Sequence, residues 1–473
     1  MAVGVVHNGQ LVYSEGFGAR NEQGDPVDAD TLFEIGSTTK AFTSFAIGQL
    51  VDREKLDWGT PVTSLYPVKF KDPIANEYAD LTDVLSHRTG LPAHDFLWNS
   101  WYTNDEIINK IQYLAPSTQL REAFQYNNNM YTLAGTIAGK VSGLGWENLV
   151  AELIFKPLNM SSTFTNPLLM EGTKNHARGF GKDGLVYRYN ETFPIESSRP
   201  AGAVVSNVND LAKWLSLINN KGVLANGTQL ISRLQFETIV FPHISVELNV
   251  PGGGVISNLS YGFGWFIKHY RGKTCIEHSG STDGYTAQIT TFPDLGAGVG
   301  SLGIVVLANK HSGPLTIIVA NYIADRVLFP EAWSYWSAIW KWFYLKNQWE
   351  SWWRRQRVLR SRHTGTHPSK PMHQFAGAYR NEAYGDFILR DGGDDSLVGQ
   401  LQGTPNRPPI LRDILVRHWE YDTFGIFEFP KFRYKDARYP ALFLNFTVSA
   451  SGGVKSLAVK LEPAVEEIVF KRV

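Results

Sequence analysis

Ser37-Thr38-Thr39-Lys40 sets a hydroxyl and an amine three residues apart, and it is the sole Ser-x-x-Lys in the chain. On a helix these side chains lie one above the other on a single face, close enough for a proton to pass between them. That geometry would let Lys40 take the hydroxyl proton of Ser37. A helix N-terminus at Ser37 adds about half a positive charge, which favours a developing alkoxide and disfavours protonation of Lys40. An ordinary lysine is protonated at neutral pH, so the site must also desolvate Lys40 or supply an acceptor that holds it. The competing reading is a Ser37 that caps the helix and a Lys40 in solvent.

A phenol beside a lysine can ionise and act as a base, and an amide can orient that lysine. Tyr126-Asn127-Asn128 offers both, directly ahead of the apolar helical run MYTLAGTIAGKVSG. Tyr-x-Asn recurs at Tyr102 and Tyr379 without such a mount, so position selects the Tyr126 copy; the alternative is a tyrosine buried in a core. His278-Ser279-Gly280 lies in the strand-like run KTCIEHSG. Period-two alternation puts His278 and Gly280 on one face and Ser279 on the other, where a ligand backbone could approach the glycine. A second His-Ser-Gly at His311–Gly313 reads as a loop, and a lone histidine is also compatible with a core position.

Other chemistries lack their residues. Gly272-Lys273-Thr274 has no glycine at the spacing a phosphate-binding loop needs, and neither His-Glu-x-x-His nor Gly-x-Ser-x-Gly occurs. Cys275 is the single cysteine and cannot form an intramolecular disulfide, and no Cys or His cluster has zinc spacing. Forty-five basic residues balance 45 acidic ones, so no charge excess draws the chain to nucleic acid. With 43% hydrophobic residues the chain can bury a core. No basic, then apolar leader opens it, and no apolar run approaches the roughly 20 residues of a membrane span; the expectation is a cytoplasmic protein.

The elements that must position these groups follow an α+β order. Residues 2–20 read as a hairpin turning at Asn8-Gly9, and a helix is expected from Thr38 to Asp52. Between about 80 and 220 the pattern is helical, including Asn129–Val141 and Asn209–Leu217. Strands return at YGFGWFIKHY, KTCIEHSG, TAQITTFP and GIVVLAN, before a helix-like run from Leu315 to Val327. An antiparallel sheet joining both ends of this region, with a mostly helical insertion, is the predicted first domain, residues 1–330. Residues 331–371 form a Trp-rich helical connector and polar linker holding seven of the 14 tryptophans, and then an arginine cluster. Aromatic packing between neighbouring domains is the favoured reading of that connector, ahead of membrane-surface contact through 331–360. Residues 372–473 alternate in short strands, as a small antiparallel β-barrel does.

In their order along the chain, these three groups resemble those of the serine β-lactamase and penicillin-binding-protein superfamily, in its class C and D-aminopeptidase or esterase branch. FEIGSTTKAFTSFAIGQLVD, LTDVLSHRTGLPAHD, RPAGAVVSNVNDLAKWLSLI and HSGSTDGYTAQITTFPD are similar to that family's connecting segments, over roughly residues 4–326. The final hundred residues resemble a lipocalin-like barrel that follows the hydrolase domain in some members. The resemblance implies Ser37 as the acylated nucleophile, Lys40 as adjacent base, Tyr126 as proton shuttle and Asn128 as the amide orienting Lys40 and substrate. It implies an oxyanion hole from the backbone N–H groups of Ser37 and Ser281, with His278 and Gly280 at the substrate. His278 stands where penicillin-recognising members carry a lysine, which argues against β-lactam turnover and for amide or ester substrates. The family usually has a helix ahead of the first strand; here either the Trp-rich segment covers that sheet face or the sequence is a truncated version. The expected activity is a serine acyl hydrolase, or alternatively an acyltransferase, on a small-molecule or short-peptide acyl substrate with no cofactor or metal. A non-catalytic binding, self-assembling or membrane-surface protein is the rival of another class, and no feature sets an oligomeric state.

Overall fold

A computed structural model describes residues 1–100, 102–181, 198–247, 254–295, 300–311, 313–332, 335–404, 407–429, 434–435 and 438–473. Ser312 and Trp333 lie outside the described residues. The chain divides into two compact units, Met1–Gly90 with Thr118–Trp342, and Leu91–Ser117 with Phe343–Val473.

In the first unit, β1 (Ala2–His7) and β2 (Gln10–Gly16) form the opening hairpin. Asn8 and Gly9 turn it with φ of 51° and 76°, the left-handed pair that a tight hairpin needs and that asparagine and glycine tolerate best. Short strands β3 (Phe33–Glu34) and β4 (Val205–Ser206) pair with each other apart from the main sheet. The main sheet continues with β5 (Ile244–Ser245), β6 (Ile256–Tyr261), β7 (Phe266–Tyr270), β8 (Lys273–Thr282), β9 (Tyr285–Phe292) and β10 (Leu302–Ala308). Its order is β2-β1-β10-β9-β8-β7-β6-β5, and the antiparallel β1–β10 pairing, with Ala2 opposite Leu307, joins the two ends of the region.

Three helices carry most of the insertion and its return: α1 (Thr39–Asp52), α2 (Asn128–Ser142) and α3 (Val208–Asn219). Asn127 and Asn207 cap α2 and α3 by accepting the backbone N–H of Met130 and Asp210, each satisfying a donor left open by the helix start. Every residue of α1 from Thr39 to Leu50 is buried, so its polar Lys40, Thr43 and Ser44 face protein and need partners there.

Cross-strand register fixes the two sheet faces. Gly4, Val305, Ile289 and His278 stand side by side on one, Val5, Ile304, Thr290 and Glu277 on the other. α3 lies on the first face, where a Cβ on Gly4 would come within 2.4 Å of Val208. The second face is covered by α4 (Leu315–Leu328) and the start of α5 (Trp336–Ser361), whose Trp336 is buried with Val3, Val5, Ile304 and Val306. Trp336 stacks on Tyr270 at 5.8 Å and gives its N–H to Asp325 at 2.8 Å. The first turn of the Trp-rich segment therefore supplies sheet cover. Farther along α5, Trp342, Trp349 and Trp352 are half exposed or more, so packing does not absorb the whole cluster.

The second unit is a closed antiparallel barrel of eight strands: β11 (Gly377–Asn381), β12 (Gly385–Gly393), β13 (Ser396–Gln402), β14 (Leu411–Glu420), β15 (Thr423–Phe429), β17 (Leu442–Val448), β18 (Val454–Val459) and β19 (Ile468–Arg472). The β14–β15 pairing closes it, and β16 (Tyr434–Lys435) adds to β15 at the rim. One boundary differs from the sequence expectation of a continuous 1–330 domain, because Leu91–Ser117 groups with the barrel. The Tyr102 hydroxyl bonds the carbonyls of Ala383 and Gly403, His94 Nδ1 contacts the Tyr384 hydroxyl at 2.8 Å, and Phe96 N–H bonds Glu462. The polar linker is tied down too, with Arg362 bonded to the Trp419 carbonyl and Ser369 to Asp422. Among the described residues no helix is long and apolar enough to cross a membrane.

Candidate active site

Ser37 sits in a 3₁₀ turn, Gly36–Thr38, that runs directly into α1, rather than at the start of an α-helix as its sequence suggests. No side-chain cap forms at either helix start, so capping does not occupy Ser37. The hydroxyl is half-buried while Lys40, one turn further on, is wholly buried.

Lys40 Nζ lies 3.2 Å from Ser37 Oγ, 2.7 Å from Asn128 Oδ1 and 2.9 Å from the Ala201 carbonyl. The last two are pure acceptors and take two N–H bonds. The third tetrahedral direction of the nitrogen points at Ser37. An ammonium would donate there; a neutral amine would meet the serine proton with its lone pair. Segment Pro200–Val204 is held against α1 by further bonds, Thr43 Oγ1 to the Pro200 carbonyl and Val204 N–H to Thr39 Oγ1. The ring of Tyr126 closes the other side, its centroid 4.7 Å from Lys40 Nζ.

Tyr126 is positioned by the loop ahead of it. The carboxylate of Asp83, fully buried, binds Arg88 and Arg121, and Gln125 N–H bonds the His87 carbonyl. Asn127 N–H donates to His87 Nδ1 at 3.1 Å, which puts the histidine proton on Nε2. The His87 ring lies 4.4 Å from that of Tyr126, and its buried Nε2 has no hydrogen-bond partner. Burial, then the charge of Lys40, holds His87 well below its ordinary pKa, so it is neutral.

His278 is 2% exposed. Its Nδ1 donates to the Ser279 carbonyl at 2.6 Å, which leaves Nε2 to accept from the Tyr261 hydroxyl at 3.0 Å. Burial, then Lys40, lowers its pKa to about 3. Expected to touch substrate, His278 instead has both ring nitrogens bonded within the protein and adds no positive charge to the site.

Two glycines bring the turn that carries Ser37 against β8. Gly36 has φ of +53°, and a Cβ there would lie 2.6 Å from Ser281 N; a Cβ on Gly280 would strike the Ile35 carbonyl at 1.9 Å and approach Ser37 N at 3.1 Å. Only bare backbone allows this approach, and it sets the backbone around Ser37 against that around Ser281. The structure thus brings together Ser37, Lys40, Tyr126, Asn128, Gly280 and Ser281, with His278 buried beside them.

The family profile described as Beta-lactamase matches residues 1–327. The chain belongs to the Beta-lactamase family. A second profile, a domain of unknown function (DUF3471), matches residues 361–472 of this family member. The chain is 28% identical over 417 residues to unguisins hydrolase ungD' of Aspergillus campestris, covering 81% of this chain and 73% of that protein. It is 29% identical over 357 residues to unguisins hydrolase ungD of Aspergillus violaceofuscus, covering 70% of this chain and 62% of the other. Among solved structures, the octameric penicillin-binding protein homologue from Pyrococcus abyssi matches with a TM-score of 0.62 and 22% identity over 99% of this chain and 95% of that one. The fold is that of the β-lactamase and penicillin-binding-protein superfamily.

Three parts of this β-lactamase-like site escape sequence reasoning. The Ala201 carbonyl carries no side-chain signature. His87 lies within LTDVLSHRTGLPAHD and resembles any lone core histidine. Asp83 could have been suspected from its place one turn ahead of Arg88, but its second partner, Arg121, is remote in sequence.

Proposed function

We propose that this protein is a serine acyl hydrolase that opens amide or ester bonds through a covalent acyl-Ser37 intermediate. Ser37 Oγ attacks the substrate carbonyl, and its proton passes to Lys40, whose other two hydrogen-bonding directions are taken by Asn128 and Ala201. Tyr126, against Lys40, relays that proton to the departing amine or alcohol. The N–H groups of Ser37 and Ser281 receive the negative charge on the carbonyl oxygen, where one donor contributes about 3–4 kcal/mol in the transition state. Water then attacks the acyl carbon and loses a proton to the same base, which returns it to Ser37 Oγ as the acyl–oxygen bond breaks and the acid leaves. Asn128 orients both Lys40 and the substrate, Gly280 lets the Ser37 turn pack directly on β8, and neutral His87 and His278 hold Tyr126 and Tyr261 in place.

The observation that carries this reading is the wholly buried Lys40 held by two fixed acceptors and aimed at Ser37. The hydrolase names of the two fungal relatives support it. The absence of a cation at His278 favours substrates without a carboxylate beside the scissile bond, such as aminoacyl amides, C-terminally blocked short peptides and simple esters, over carboxylate-bearing β-lactams. A hydrolysis panel of D- and L-aminoacyl amides, short-chain esters and a chromogenic cephalosporin tests this: turnover of an amide or ester that is lost in Ser37→Ala is expected. Efficient cephalosporin turnover would contradict the substrate assignment, and activity retained in Ser37→Ala would contradict the nucleophile.

A further inference from the structure

On the sheet face opposite His278 and Gly280, β7, β8 and β9 and the covering α4 and Trp336 line a partly open pocket of about 170 Å³, with Ser279 at its exposed side. Its polar wall is unusual for the interior of a sheet. Lys268, 3% exposed, forms an ion pair at 2.5 Å with the partly buried Glu277. Gln288, 2% exposed, gives its amide hydrogens to Glu277 Oε2 and Thr290 Oγ1, while its Oε1 is buried and has no partner. Reversing that amide would set its oxygen against a carboxylate, so the orientation is fixed by charge. Across the cavity, Asn321 is also 2% exposed, and its Nδ2 donor is buried without a partner. Leaving a buried polar atom without a partner is costly, so an unmet acceptor and an unmet donor in one pocket mark a place for a guest that supplies both.

We infer that this cavity is a binding site for a small neutral carboxamide or lactam. The guest donates an N–H to Gln288 Oε1 and accepts from Asn321 Nδ2 through its carbonyl. Lys268 and Glu277 neutralise each other, so the wall has no net charge to recruit an ion, and a charged guest would lose hydration without a counter-charge. Phe266 and Trp336 flank the space and suit an aromatic or short aliphatic body. A cavity of about 150 Å³ holds a benzene molecule, so 170 Å³ accommodates one ring bearing one amide. The pocket opens on the other sheet face from Ser37, because Glu277 and Ser279 line it while their neighbours His278 and Gly280 face the other way, and the Phe266 ring, 5.2 Å from that of His278, stands between the two.

The test uses the full chain with Ser37 blocked by a fluorophosphonate, and in parallel unblocked, with saturation-transfer NMR of benzamide, benzoate and benzylamine. Benzamide is expected to bind with millimolar affinity in both samples, at least tenfold more tightly than benzoate or benzylamine. Ile317→Trp, which fills the cavity from α4, and Gln288→Met, which removes the acceptor at similar volume, should each weaken it at least tenfold. A benzamide-soaked crystal should show the amide between Gln288 and Asn321. Equal binding of the three probes, unchanged benzamide binding in both variants, or only ordered water in the cavity would overturn the inference. None of these readouts depends on turnover, so failure of Ser37 to act as a nucleophile is seen separately.

Discussion

Behind Ser37 the protein buries an amine and two imidazoles, Lys40, His87 and His278, each within a few ångströms of tyrosine rings. The barrel closes instead around Phe375, Phe387, Phe424, Leu444 and Phe470, with Phe375 and Phe424 only 4.8 Å apart. Burying polar groups costs stability unless each is partnered, whereas aromatic packing returns it. The first interior holds polar groups that the proposed mechanism would use to move a proton; the second is filled in the manner of a structural core. Mutations should therefore separate the two, with loss of rate and little loss of fold around Ser37, and loss of fold alone in the barrel.

The largest effect is expected at Lys40. Lys40→Met keeps much of the buried stem but removes the nitrogen, and should lower kcat for the best amide or ester by about 10³–10⁴-fold, near the upper end of what proton transfer contributes. Circular dichroism melts would check that the fold persists. Gly280→Ala comes next. Its Cβ must displace the turn bearing Ser37 from β8, and kcat should fall by about 10²–10³-fold, comparable to losing one oxyanion donor. In contrast, Phe446→Ala, which deletes a ring packed on Phe375, Tyr379 and Phe424, should destabilise the barrel by about 3–5 kcal/mol in denaturant titrations. Its kcat per folded molecule should be unchanged.

The smallest contrast is in pH. His278 is held near 3 when folded but protonates near its ordinary value once unfolded. Its contribution to stability is complete above about pH 6.5 and is lost on acidification toward 3, at about 1.4 kcal/mol per pH unit. Glu34, raised to about 7 chiefly by burial, acts with the opposite sign: stability falls as pH rises from the ordinary carboxylate range through 7. His278→Gln should therefore flatten the acid limb of unfolding free energy between pH 6.5 and 5, and Glu34→Gln the limb between pH 5 and 7. Unfolding curves recorded at half-unit intervals would show each slope change.

Much of this arrangement is legible in the residues. Ser37 and Lys40 meet because three residues make about one helical turn, and Asn8-Gly9 turns the hairpin its strands require. Alternation along KTCIEHSG separates His278 and Gly280 from Ser279, and the apolar period after Asn128 marks α2 to within a residue or two. What the sequence does not show is set by long-range contact. The attachment of Leu91–Ser117 to the barrel depends on Tyr102 and His94 meeting residues almost 300 positions away. The 3₁₀ turn at Ser37 depends on the close approach of β8, and the enclosure of His278 on Tyr261 crossing from β6. Backbone groups such as the Ala201 carbonyl and the Ser281 N–H leave no mark in residue identity at all.

Covalent labelling reads directly whether Ser37 is a nucleophile activated by Lys40. Intact protein treated with a fluorophosphonate should gain a single adduct, mapped by peptide mass spectrometry to Ser37, with the labelling rate lowered by about 10³-fold in Lys40→Met. Labelling at another residue, or an equal rate in the variant, would contradict it.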